Sequence, residues 1–118
     1  MKQIKEIVVM QFENELSIGN NALKSGNVGK ARVCARRACM FVINYWLNNN
    51  PNIDWGKTSI NLLENLSKEI SLPENVRLSA KRLTVRVGAD FTTNYIENPL
   101  EDAKIIIEYF LNDNQIKK

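Results

Sequence analysis

The stretch 28–48, VGKARVCARRACMFVINYWLN, constrains this chain more than any other. Ala31, Ala35, Ala38, Val42 and Tyr45 recur at steps of three and four, which places them in one stripe along a helix of about six turns. Val33, Met40 and Leu47 recur at steps of seven and fall on nearly the opposite side. A helix with two apolar faces needs two sets of partners. One set is available within the chain. The spacing predicts that the other comes from a second copy, with Val33, Met40 and Leu47, together with Leu78 and Val85 of a later helix, as the candidate homodimer interface. The small alanines let another helix approach closely, while Tyr45 and Trp46 fill wider space at the far end.

Around this central helix the sequence predicts a single-domain, all-α, up-and-down bundle of about five helices over residues 1–118, with a fraying tail at about 113–118. The first helix is expected over Lys2–Lys24, with Ile4, Ile7, Val8, Ile18 and Ala22 on its inner face, widened by Phe12, Leu16 and Leu23. Gly19 in its middle permits a bend or a close contact. Ser25-Gly26-Asn27 reads as a left-handed C-terminal cap followed by the N-cap of the central helix. After the Asn-rich run 48–52, Asp54 is expected to cap a third helix over Trp55–Ile70, with Ile60, Leu63, Leu66 and Ile70 inward. Pro73-Glu74 opens a fourth, with Val76, Ala80, Leu83 and Val87 inward, and residues 88–97 read as a loop or a bent continuation. Asn98-Pro99-Leu100-Glu101 is an N-cap, a first-turn proline and an acid three residues on, a strong start for the last helix.

The chain contains no histidine, which removes the commonest general base and the commonest nitrogen ligand for metals. Ser-His, Cys-His and His-based zinc chemistry are therefore excluded. Gly56-Lys57-Thr58 has the ending of a phosphate-binding loop, but Pro51 stands where the motif requires glycine and no strand leads in. Cys34 and Cys39 lie on one predicted helix at a spacing that disfavours a disulfide, and they read as core packing in a reducing cytoplasm. No apolar run reaches the roughly eighteen residues of a membrane span, and the N-terminal stretch reads as mature protein. No cofactor is implied.

Charge is more informative in its distribution than in its net value of +3. Lys30, Arg32, Arg36 and Arg37 cluster without an acid over 29–37 of the central helix, and Arg77, Lys81, Arg82 and Arg86 do so over 77–86 of the fourth. These eight of the 16 basic residues leave 8 against 13 acids elsewhere. Two readings follow: an anion or nucleic-acid surface, or side chains that flank apolar stripes and pair with Glu101, Asp102 and Glu108 of the last helix.

The order of features, from ALKSGNVGKARVCARRACMFVINYWL through a capped helix and a basic helix to NPLEDAKIIIEYFL, resembles the HEPN family, named for higher eukaryotes and prokaryotes nucleotide-binding, and its archaeal branches. The likeness covers about residues 10–112. It implies a small helical homodimer whose basic groove holds a nucleotide or RNA, and a nucleotidyltransferase-type partner protein. Many members resemble one another in an Arg-x4-6-His motif that cleaves RNA without metal. Arg86 stands where that Arg would lie, but Phe91, Thr92 and Thr93 occupy the His spacings, and none replaces an imidazole. The expectation is a non-catalytic binding protein with Arg82, Arg86 and Arg36 as candidate ligand contacts. The alternatives are a degenerate ribonuclease using Arg86 with Tyr95 or Asp90, and a purely structural interaction module.

Overall fold

The computed structural model describes residues 4–85 and 98–112. Over these residues the chain is helical, with α1 at Ile4–Lys24, α2 at Val28–Asn48, α3 at Ser59–Lys68, α4 at Glu74–Thr84 and α5 at Pro99–Asn112. No strand occurs among the described residues. The helix α2 touches all four others, so the segment with the strongest sequence pattern is the centre of the bundle.

The α1–α2 hairpin is set by its turn. Asn27 N–H donates to Ala22 O at 2.8 Å and Gly26 N–H to Leu23 O at 3.0 Å, which together make a Schellman motif. Gly26 supplies the required left-handed backbone at φ 84°. Asn27 then caps α2 by accepting the Lys30 N–H at 3.0 Å on its side chain. Both features follow from the three-residue turn sequence alone.

Down the hairpin, α1 lies close against α2 at Gly19. A Cβ built there would stand 2.9 Å from both Cys34 Cβ and Leu100 Cδ2. This approach fixes the rotation of α1 and corrects its expected inner face. Val8, Phe12, Glu15, Gly19 and Ala22 point inward, whereas Ile7 and Ile18 are 44% and 38% exposed. The stripe of α2 is buried as its spacing predicts, with Ala31, Ala35, Ala38 and Val42 fully enclosed and Tyr45 half-buried at its end.

The other helices close the core around α2. Thr58, not Asp54, caps α3, its hydroxyl accepting the Asn61 N–H at 3.0 Å. Asp54 instead accepts the Gly56 N–H at 3.0 Å in a tight turn where Gly56 has φ 87°. The helix therefore starts four residues later than expected and ends at Lys68. Leu62, Leu63 and Leu66 are buried, while Ile70 lies beyond the helix at 85% exposure. In α4, Val76, Ala80 and Leu83 face the core, and the backbone becomes extended at Val85. The expected inward position of Val87 lies outside the described residues. The α5 cap forms as its sequence predicts, with Asn98 Oδ1 accepting the Leu100 and Glu101 N–H groups at 3.2 and 3.3 Å. Trp46 of α2 meets Trp55 and Phe110 at ring-centroid distances of 5.3 and 5.5 Å and closes the end of the bundle away from the α1–α2 turn.

Small residues at the helix crossings generate the first prediction. Gly19→Ala and Ala38→Leu should each lower stability by about 1–3 kcal/mol, because the added atoms meet enclosed neighbours that cannot withdraw. Urea denaturation followed by circular dichroism checks this, and an unchanged midpoint would place these residues on the wrong face.

Candidate functional site

The basic residues of α2 and α4 converge at the C-terminus of α4. A helix leaves its last carbonyls without intrahelical donors, and here the donors come from another helix. Arg32 is only 7% exposed, and its Nη2 lies 2.7 Å from Val85 O, 3.1 Å from Leu83 O and 3.3 Å from Arg82 O. Arg36, one turn on, donates from Nη1 to Leu83 O at 3.0 Å. Two guanidinium groups thus take the place that a glycine cap or water fills elsewhere, and their charge opposes the negative end of the helix dipole. Burial pulls the Arg36 guanidinium below its ordinary pKa.

Arg82 turns the other way, toward α5. Its Nε and Nη2 lie 2.9 and 2.7 Å from Asp102 Oδ1, and Nη2 also reaches Ser79 Oγ at 3.2 Å. The Asp102 side chain is 13% exposed and that of Arg82 45%, so the pair straddles the surface with its acid inside. This is the pairing between the fourth and fifth helices that the charge pattern offers as its second reading. Arg77 donates to Leu72 O at 3.0 Å, and Arg37 pairs with Glu15 at 3.5 Å. Of the three candidate ligand residues, Arg36 and Arg82 therefore serve different internal partners. Arg86 lies outside the described residues, as do Asp90, Phe91, Thr92, Thr93 and Tyr95.

The candidate interface residues separate into two groups. Val33, Leu78 and Val85 are 42%, 45% and 51% exposed, whereas Met40 and Leu47 are half-buried against the core. The outward row on α2 is thus open only at Val33.

Two further residues that sequence does not single out carry the arrangement. Arg32 reads in sequence as one of a basic cluster and not as a buried cap. Its signal is its spacing of four from Arg36 at the edge of the alanine stripe. Glu15 is 8% exposed and pairs with Arg37, and its carboxylate raises the pKa of the Cys34 thiol. Its signal is its place in the buried sequence Val8, Phe12, Glu15, Gly19. Cys34 and Cys39 are free and buried. Desolvation raises the pKa of both thiols, with Glu15 adding to the effect at Cys34 and Asp102 at Cys39. Among the described residues no group of three or more Cys, Asp or Glu is placed to hold a metal ion. None of the described helices is long and apolar enough to cross a membrane.

Two measurements follow from this geometry. Arg32→Ala strands buried carbonyls at the end of α4 and should cost about 2–4 kcal/mol, more than Arg36→Ala, whose single bond is worth roughly 1–2 kcal/mol. Equal losses for the two variants would contradict the capping role. Neither thiol should react with Ellman's reagent at pH 8 while the chain is folded, because the thiolate is the nucleophile and burial suppresses it. Both should react once urea unfolds the protein.

No family model matches the chain, and neither a curated protein nor a solved structure matches it.

Proposed function

We propose that this chain is a non-catalytic, HEPN-like helical module that acts by association, first with a second copy of itself. The observation that carries this reading is an inversion of side chains at the surface. The arginines of α2 and α4 bond inward to carbonyls and carboxylates. Meanwhile Ile7, Met10, Ile18, Val33, Leu78 and Val85 point outward at 38% to 54% exposure. Half-exposed aliphatic side chains on several helices lower the free energy when another protein surface covers them. Sedimentation equilibrium at about 10–100 µM should give twice the 13.5 kDa chain mass. A 13.5 kDa species throughout would overturn the proposal.

One observation favours a second reading, binding of a nucleotide or RNA. The Arg82 side chain is 45% exposed beside Asp102, and Arg37, Lys30 and Lys81 are exposed on the same two basic helices. A guanidinium carries five N–H donors in a planar fork and can bridge a carboxylate to a phosphate oxygen. Labelled single-stranded RNA should then bind more weakly as salt rises, and Arg82→Ala with Lys81→Ala should reduce the slope by about 0.7 for each phosphate no longer neutralised. Unchanged RNA binding in the double variant would leave these side chains a structural role alone. Cleavage of the same RNA, abolished by Arg86→Ala, would instead favour the degenerate ribonuclease.

A further inference from the structure

The outer face of α1 carries a pattern that the bundle core does not use. Ile7, Met10, Gln11, Asn14, Ser17 and Ile18 are all exposed and recur at steps of three and four. They form a stripe about 17 Å long without a charge, in a chain of which 25% is charged. Ile7, Met10 and Ile18 are 44%, 54% and 38% exposed, and a shallow depression runs between Ile7, Met10, Gln11, Glu13 and Asn14.

The two edges of the stripe differ in sign. Glu13 and Glu15 lie about 200° apart around the helix axis, so they fall on opposite sides of the stripe. The Glu13 edge is exposed and acidic, with Glu6 one heptad before it. The Glu15 edge is basic at the surface, because Glu15 is buried under Arg37, whose side chain is 56% exposed at 3.5 Å from it. Lys30 lies one heptad before Arg37 along the same side of α2.

We propose that this stripe is the contact between two copies of the chain, packed as a parallel α1 pair about a two-fold axis running along the helices. This rests on the self-association proposed above and specifies its surface. A rotation about that axis lays the acidic edge of each copy on the basic edge of the other, so Glu13 faces Arg37 of the second copy, twice. An antiparallel pair would instead bring the acidic edges of the two copies together, which like charge disfavours. The pairing also places Asn14 against its counterpart in the middle of an uncharged seam flanked by Met10 and Ile18. There an amide satisfies its donor and acceptor on its like and fixes the register. An uncharged stripe offers nothing to a phosphate backbone, so nucleic acid is not its occupant.

The test uses the full chain, by sedimentation equilibrium up to about 100 µM. Met10→Lys combined with Ile18→Lys should weaken dimerisation by at least about tenfold, with helix content by circular dichroism unchanged because both residues are exposed. Glu13→Lys should weaken it more at low salt than at high salt. Asn14→Cys should form a disulfide-linked dimer on mild oxidation, since the native thiols are buried. A parent dimer that survives Met10→Lys with Ile18→Lys but dissociates with Leu78→Lys and Val85→Lys would overturn the α1 contact and leave self-association standing. A dimer in which Asn14→Cys does not cross-link would overturn the central seam. A parent chain that is monomeric at every concentration would overturn both readings.

Discussion

One buried guanidinium holds the end of a short helix in place. At eleven residues, α4 is too short to be stable alone in water, and it ends without a glycine cap. Arg32 supplies what is missing from α2, binding three acceptors across the point where the backbone turns from helical to extended. Removing a charge from water is unfavourable unless its bonds are replaced, and helix-end carbonyls replace them while contributing their own negative potential. Arg36 and the Arg82–Asp102 pair extend this arrangement so that α4 is fixed on one side to α2 and on the other to α5.

The second constraint is distance. Gly19 of α1 and Ala31, Ala35 and Ala38 of α2 carry almost no side chain and are buried, and at Gly19 the two helices come so close that a Cβ would stand 2.9 Å from Cys34 Cβ. Larger residues at these positions would widen the bundle before they changed any polar bond. The small residues bring α1 close to α2, and the long guanidinium side chains of Arg32 and Arg36 bridge from α2 to α4.

What can be read from sequence follows the range of the chemistry involved. The all-α class, the alanine stripe of α2, the Gly26–Asn27 turn and the Asn98–Pro99 cap depend on residues within one or two turns of each other, and each is present. The rotation of α1 is not legible in this way, because Ile7 and Ile18 are as apolar as Val8 and Phe12 and the choice between them is made by close approach at Gly19. The start of α3 is equally ambiguous, because Asp54 and Thr58 are both competent caps and Asp54 is taken by the Gly56 amide. The charge clusters allow both a ligand surface and internal pairing. For Arg32, the deciding acceptors lie fifty or more positions away in the chain, beyond the reach of periodicity. Arg86, on which the ribonuclease alternative turns, lies outside the described residues.

The aromatic cluster at the other end of α2 has an optical consequence. The chain's two tryptophans, Trp46 and Trp55, are 5.3 Å apart, so its indole emission arises from one locus. That locus joins α2, the segment before α3 and, through Phe110, α5, while the guanidinium cap of α4 sits on the opposite half of α2. Intrinsic fluorescence is therefore a local probe that reports the closing of one end of the bundle, whereas far-ultraviolet dichroism averages over all its helices. A difference between the two signals during unfolding would separate the opening of that end from the loss of helix as a whole, without any introduced label.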